Sequence, residues 1–142
     1  MRMIAIVEDD DALAELLTEA LGEAGVVEER VRYSDGAEAL RALQQGLTPR
    51  LILLDWNMPG LHGRDVLAAL KADPATRGLP VVVLTSSGDA GDVGEAYALH
   101  ANGYVVKPPA FAGLVTLAKT LRAFWLDAVV PANAPAPGEG TR

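Results

Sequence analysis

The sequence predicts an α/β fold with a parallel sheet, and three observations support this prediction. Five short apolar segments recur about every 25 residues along the chain. The stretches between them carry apolar residues at the three- and four-residue spacings of a helix. The chain has 142 residues and no cysteine, so it is the size of one domain and does not depend on disulfides. Strict alternation of strands and helices implies parallel strands with helices on both faces of the sheet.

The five predicted strands differ in how much charge they carry. The first, third and fourth are almost continuously apolar, which is typical of strands buried on both faces of a parallel sheet. The second is interrupted by four charged residues, so we place it near an edge. The predicted strands are residues 3–7, 26–33, 51–54, 80–84 and 103–106.

Five helices are predicted between and after these strands. Gly25 ends the first helix, and Asp35 with Glu38 resembles a capping box at the start of the second. Asp73 followed by Pro74 closes the third, because the residue before proline disfavours helical backbone. The predicted helices cover residues 13–24, 35–46, 66–73, 93–100 and about 110–127.

The arrangement of these elements follows from their number and spacing. Five strands without long insertions predict a doubly wound five-stranded parallel sheet in the flavodoxin-like order 2-1-3-4-5, as a single domain over residues 1–128. Residues 129–142 are rich in Pro and Ala and have no helical period. We expect them to form a C-terminal tail that is either disordered or part of a dimer interface.

Composition excludes several classes of function. The chain has 12 Lys and Arg against 19 Asp and Glu, a net charge of −7, which argues against a nucleic-acid partner. Its first apolar run, residues 3–7, is too short for a signal peptide or a membrane span. The glycines at 88, 91 and 94 follow the fourth strand and lack the spacing of a dinucleotide-binding loop. We therefore expect a cytoplasmic domain with no membrane partner.

Polar residues at the carboxyl ends of the predicted strands form the candidate site. The first strand ends in Glu8 and Asp9, and the third ends in Asp55. Thr85 ends the fourth strand and Lys107 follows the fifth. Ligands of open parallel sheets bind at this edge, where the predicted order brings these strands together. The five side chains should therefore line one crevice.

These residue types favour metal-dependent phosphoryl chemistry. Three carboxylates at close range repel one another unless a cation neutralises them, and Mg²⁺ suits oxygen ligands combined with water. A carboxylate at such a site can attack phosphorus and form an aspartyl-phosphate. Lys107 and Thr85 would supply a cationic and a hydroxyl donor for the phosphoryl oxygens.

The motifs at these strand ends resemble the receiver domain of two-component response regulators, over about residues 3–127. The segments that carry the resemblance are residues 4–10, 35–40, 53–60, 83–86 and 104–108. The resemblance implies that Asp55 accepts a phosphoryl group from the phosphohistidine of a histidine kinase.

The same resemblance assigns the remaining site residues. It implies that Asp9 and Asp55 bind Mg²⁺ directly, that Glu8 binds through water, and that Asn57 offers its main-chain carbonyl to the metal. Lys107 matches the family's invariant lysine, and the bond between it and Pro108 is usually cis in the family. Thr85 and Tyr104 match the family's switch pair.

A narrower resemblance exists to single-domain regulators that are paired with phytochrome-type, light-sensing histidine kinases. It rests on residues 49–55, 71–74, 98–104, 124–126 and 129–131. His62 and Pro109 depart from the usual pattern. We expect His62 to be a solvated loop residue.

The sequence leaves three alternatives open. A haloacid-dehalogenase-like phosphatase also phosphorylates an Asp at a strand end, but it needs an acid two residues later, where Asn57 cannot donate a proton. A receiver can also signal without phosphorylation, or serve as a phosphate sink or shuttle in a phosphorelay. We expect no enzymatic activity beyond the chain's own phosphorylation and dephosphorylation, and output through protein–protein contact.

The fifth helix carries more apolar residues than one buried face needs. We expect one stripe to face the sheet, namely Phe111, Leu114, Ala118, Leu121 and Trp125. The residues left over are Leu117, Phe124, Val129 and Val130. A contiguous apolar patch of this kind predicts a homodimer interface, and the alternative is a monomer whose tail covers the patch.

Overall fold

A computed structural model describes residues 3–131 and confirms the predicted architecture. Five parallel strands form one sheet in the order β2-β1-β3-β4-β5. The strands are β1 (Met3–Val7), β2 (Glu29–Tyr33), β3 (Leu51–Leu54), β4 (Val81–Thr85) and β5 (Gly103–Val106). The helices are α1 (Asp11–Glu23), α2 (Gly36–Gln44), α3 (Gly63–Ala72), α4 (Ala90–Ala98) and α5 (Phe111–Leu121), followed by a π-helix (Arg122–Ala128). None of these helices is both long and apolar enough to span a membrane.

Side chains that alternate along the strands build a core on each face of the sheet. Ile4 and Ile6 of β1 pack with α1 and α5 on one face. Ala5 and Val7 pack with α2 and α3 on the other. The strands β1, β3 and β4 are buried almost throughout, whereas the edge strand β2 is only half-buried, as its charges predict. This two-sided burial fixes the register of the central strands, and the register in turn determines which residues lie just beyond their carboxyl ends.

Aspartates begin three of the helices. Asp10 accepts a hydrogen bond from the main-chain N of Leu13, and Asp35 accepts one from Ala37. Asp89 caps α4 in the same way. These caps satisfy main-chain N–H groups that the first helical turn leaves unpaired.

The structure corrects two of the predicted helix ends. His100 lies outside α4, because Ala101 N donates to Ala96 O and His100 takes φ +71°. This pairing is that of a Schellman end, with a histidine in the left-handed position that glycine usually fills. The fifth helix keeps α-helical geometry only to Leu121 and continues as a π-helix.

The structure also corrects one strand and one peptide bond. The second strand begins at Glu29 rather than at residue 26. Among residues 3–131 there is no cis peptide bond, so the bond between Lys107 and Pro108 is trans, contrary to the expectation.

The π-helix is tied to the amino-terminal end of the sheet. Arg50, just before β3, donates from its guanidinium to the carbonyl oxygens of Leu126 and Val129. Arg122 donates to Ala24 O at the end of α1. Helix-end carbonyls are therefore satisfied by arginines from distant parts of the chain.

Candidate functional site

Three carboxylates meet at the carboxyl end of the sheet. One oxygen from each of Glu8, Asp9 and Asp55 lies within 4.8 Å of the others. The β1–β3 pairing continues one residue beyond the strands, because Asp55 N donates to Val7 O at 3.0 Å. Glu8 and Asp55 are 4% and 6% exposed. Three clustered carboxylates, two of them buried, repel one another, so the donor set fits a hard divalent metal ion.

Lys107 supplies the positive charge of the site. Its Nζ lies 2.7 Å from Glu8 Oε1 and 3.5 Å from Asp55 Oδ1. Its own position is fixed by the sheet, since Lys107 N donates to Thr85 O at 2.8 Å. The ammonium therefore bridges two of the carboxylates, and two negative charges of the cluster remain uncompensated when all three acids are ionised.

Glu8 is held through both its main chain and its side chain. Its N donates to Tyr33 O, and its Oε2 accepts from the main-chain N of Asp10. Burial raises the pKa of the Glu8 carboxyl to about 7; the Lys107 hydrogen bond opposes this shift and the Asp55 charge adds to it. Without a bound metal ion, the Glu8 carboxyl is therefore partly protonated near neutral pH.

Thr85 brings an unmatched hydroxyl to the site. It is 1% exposed, and its Oγ1 has no hydrogen-bond partner among residues 3–131. A buried hydroxyl without a partner is costly in a folded protein, which points to a ligand that completes it. A phosphoryl oxygen on Asp55 has the required acceptor chemistry.

Tyr104 is anchored to the loop that follows Thr85. Its hydroxyl donates to Ser87 O at 2.6 Å, and burial raises its pKa. Its main-chain N donates to the hydroxyl of Tyr97 on α4. Tyr104 thus connects β5 to the β4–α4 loop through a bond that a local rearrangement can break.

A glycine that the sequence analysis did not identify lies against the main chain of Asp55. Gly63, the first residue of α3, donates its N–H to Trp56 O at 3.1 Å. A Cβ on Gly63 would collide with the main-chain oxygen of Asp55 and approach Trp56 Cα at 2.8 Å. Only glycine lets α3 begin this close to Asp55, and a glycine outside any turn pattern gave no sequence signal.

The structure brings together most of the predicted site residues. Glu8, Asp9, Asp55 and Lys107 form one cluster, and Thr85 is joined to Lys107 through the main chain. Asn57 lies two residues after Asp55 and is exposed. His62 is exposed at the start of α3, as predicted.

The fifth helix and π-helix bury different residues from those predicted. Leu114, Ala118 and Leu121 are buried as expected, but Phe111 is 36% exposed and Leu126 is buried instead. Leu117 is partly buried against the core. The change to π-helical geometry after Leu121 alters which side chains face inward, and the α-helical period could not predict that change.

The proposed dimer residues divide into two groups. Phe124 and Val130 are 55% and 80% exposed, while Leu117 and Val129 are half-buried. Val129 O also accepts a hydrogen bond from Arg50. Residues 132–142 of the predicted tail lie outside the described residues.

Comparison with known proteins identifies the class. The family model of the response regulator receiver domain matches residues 4–119. The chain therefore belongs to the response regulator receiver domain family, whose members are in general signalling proteins rather than enzymes. This membership favours the receiver interpretation over the phosphatase alternative.

Within the family, the chain is similar to regulators of phytochrome signalling. It is 37% identical to response regulator Rcp1 of Synechocystis sp. over 134 residues, which are 90% of this chain and 91% of Rcp1. The crystal structure of Mn²⁺-bound Rcp1 aligns with a TM-score of 0.84 at 36% identity, covering 92% of this chain and 99% of that one. The phosphorylated cyanobacterial phytochrome response regulator RcpA aligns with a TM-score of 0.86 at 38% identity, covering 92% and 97%.

Proposed function

We propose that this receiver domain accepts a phosphoryl group on Asp55 from the phosphohistidine of a sensor histidine kinase, with a phytochrome-type kinase as its donor. The observation that carries the proposal is the buried Asp55 carboxylate beside Lys107 and the unpartnered Thr85 hydroxyl. The phosphorylated state of RcpA, a similar protein, supports it.

Mg²⁺ fits this site as the required cation. Asp9 and Asp55 would hold it with carboxylate oxygens, Asn57 with its main-chain carbonyl, and Glu8 through water. The ion would neutralise charge on the phosphoryl oxygens during transfer. The similar protein Rcp1 has a crystal structure in a Mn²⁺-bound form, which supports a divalent cation as a ligand of this chain.

The protein's own groups perform the transfer. An oxygen of the Asp55 carboxylate attacks phosphorus and forms the new O–P bond. The P–N bond to the kinase histidine breaks, and its electron pair remains on the imidazole nitrogen. Lys107 and Thr85 then donate hydrogen bonds to the phosphoryl oxygens, and no other reaction of this chain is required.

The signal leaves the site through Thr85 and Tyr104. When the Thr85 hydroxyl turns to a phosphoryl oxygen, it vacates space beside the core that Tyr104 can enter. Tyr104 would then give up its bond to Ser87 O and change the surface formed by α4, β5 and α5. We propose that this surface passes the signal to a cytoplasmic partner by direct contact.

Phosphotransfer from purified kinases tests the donor assignment. The autophosphorylated kinase domain of a phytochrome is mixed with this chain and Mg²⁺, and loss of kinase label is followed over seconds. We expect transfer much faster than from an unrelated histidine kinase, and none in EDTA. Equal rates from both kinases would contradict the phytochrome pairing but not the acceptor role.

We also propose that two copies of the chain associate through the apolar surface of Leu117, Phe124, Val129 and Val130. The exposure of Phe124 and Val130 supports this proposal, since exposed patches of this kind are usually interfaces. A two-fold contact would cover both copies at once.

Light scattering at tens of micromolar tests the dimer. Phe124→Asp should give a monomeric mass, while Val27→Asp, a change at an exposed apolar residue near β2 and outside the proposed interface, should leave the dimer intact. A monomeric wild-type chain, with and without phosphorylation, would rule out the interface.

A further inference from the structure

Arg32 on the edge strand contacts the main chain of Glu8 directly, although it belongs to none of the motifs of the site. In the β1–β2 register it lies opposite Ile6, which places its side chain on the α1 face of the sheet. Its Nε and Nη2 donate to the main-chain oxygen of Glu8 at 2.9 and 2.8 Å. Its Nη1 lies 2.8 Å from Asp11 Oδ1. One guanidinium therefore joins the end of β1 to the start of α1.

The need for this contact comes from where the strand pairing stops. Glu8 N still donates to Tyr33 O, but the chain bends at Ser34. The carbonyl of Glu8 thus lies beyond the hydrogen bonds between β1 and β2. Nε and Nη2 of Arg32 donate to it instead. Two N–H groups on one oxygen restrict the orientation of that carbonyl more than a single donor would.

The orientation of this carbonyl determines where Asp9 points. Glu8 O and Asp9 N belong to one planar peptide unit, so fixing the first fixes the second. On its other side Asp9 is followed by Asp10, which is held as the N-cap of α1. No residue in the described part of the chain donates a hydrogen bond to the Asp9 carboxylate itself. The direction of the Asp9 carboxylate toward Glu8 and Asp55 therefore depends on the neighbouring residues Glu8 and Asp10, whose positions are fixed by hydrogen bonds.

We infer that Arg32 is a positioning residue of the cation site: it locks the Glu8–Asp9 peptide and so directs the Asp9 carboxylate at the incoming divalent ion. The inference rests on the proposed function, because the ion is the one that phosphorylation would require. Groups that orient metal ligands commonly raise metal affinity by about 10- to 100-fold.

Charge and positioning make opposite predictions for this residue. The guanidinium is a positive charge beside a cation site, so loss of its charge alone would tighten Mg²⁺ binding. Loss of the hydrogen bonds that hold the Glu8–Asp9 peptide would weaken Mg²⁺ binding. Arg32→Gln removes both the positive charge and the paired hydrogen bonds to Glu8 O. Arg32→Lys keeps the charge and removes only the paired hydrogen bonds.

Calorimetric titration of the folded, metal-free chain with Mg²⁺ decides between them. We expect Arg32→Lys to bind Mg²⁺ about tenfold more weakly than the wild type, and Arg32→Gln to bind it more weakly by a smaller factor, because its lost positive charge offsets part of the effect. Asp11→Asn is the matched control, since it breaks the ion pair and leaves the bonds to Glu8; it should stay within about twofold, because exposed ion pairs contribute little.

The outcomes separate this inference from the proposed function. Wild-type affinity in Arg32→Lys, or tighter binding in Arg32→Gln, would overturn the positioning role. So would an equal loss in Asp11→Asn, which would assign the effect to the ion pair. A wild-type chain that binds no Mg²⁺ would instead refute the cation site on which the proposed function depends.

Discussion

The ammonium of Lys107 lies 2.7 Å from Glu8 Oε1, closer than the 3.5 Å that separates it from Asp55 Oδ1. Its main partner is therefore Glu8 rather than Asp55, the proposed phosphoryl acceptor. This arrangement reduces the repulsion between the two buried carboxylates.

We predict that Lys107→Met separates metal binding from phosphorylation. Removing a positive charge from the acid cluster should tighten Mg²⁺ binding by about tenfold, because the cation no longer competes with the ammonium. Phosphorylation by acetyl phosphate should nevertheless be slower, since a donor to the phosphoryl oxygens is lost. Calorimetry and a phosphorylation time course measure the two effects, with Lys119→Met on the exposed side of α5 as the control. Weaker Mg²⁺ binding in Lys107→Met would contradict this description of the charges.

Substitutions of Asp9 and Asp11 should differ sharply in their effect on Mg²⁺ binding. Asp9→Ala should weaken Mg²⁺ binding by at least about tenfold, because it removes a ligand of the cluster. Asp11→Ala should have little effect, since Asp11 begins α1 and pairs with Arg32 instead. Equal losses of affinity, measured by calorimetry, would mean that the acid pair is misassigned.

The buried Thr85 hydroxyl should lower the stability of the unphosphorylated protein. Thr85→Val keeps the shape of the side chain and removes the buried hydroxyl that has no partner among the described residues, so it should raise the free energy of unfolding by about 1 kcal/mol. It should also uncouple phosphorylation from changes at Tyr104. Urea unfolding measures the first effect, and the near-ultraviolet tyrosine signal before and after phosphorylation measures the second. A normal tyrosine response in Thr85→Val would show that the hydroxyl is not the relay.

The raised pKa of Glu8 predicts that the stability of the protein in metal-free buffer depends on pH. Its pKa rises from 4.5 when unfolded to about 7 when folded, so its ionisation opposes folding. The stability it contributes is fully present below pH 4.5 and is lost as the pH rises to about 7. The full difference corresponds to roughly 3 kcal/mol. Glu8→Gln cannot ionise, so its stability advantage over the wild type should grow across this window in urea titrations. An advantage that is constant with pH would contradict the assigned shift.

The sequence predicted the parts of this molecule that depend on local pattern. The bounds of β1, β3 and β5 follow directly from apolar runs between polar residues. The strand order then placed Glu8, Asp9, Asp55 and Lys107 together, because parallel strands present their carboxyl ends at one edge.

The remaining features depend on polar atoms that become unpaired only after folding. Arg32 contacts the Glu8 carbonyl because the chain bends away at Ser34. Arg50 reaches the π-helix across about half of the sequence. A histidine at the end of α4 gave no sign of its left-handed backbone, since glycine is the residue that usually marks it. These contacts require three-dimensional proximity that no spacing in the sequence encodes.

The site of phosphorylation tests the central claim most directly. The wild-type chain and Asp55→Asn are incubated with acetyl phosphate and Mg²⁺, and intact mass followed by peptide mapping locates any added phosphoryl group. We predict one phosphoryl group per wild-type chain, on the peptide that contains Asp55, and none on Asp55→Asn, because an amide lacks the nucleophilic oxygen. Asp55→Asn should remain folded, since the change is nearly isosteric and relieves repulsion within the cluster. Full incorporation into a folded Asp55→Asn chain would contradict the assignment of Asp55 as the acceptor.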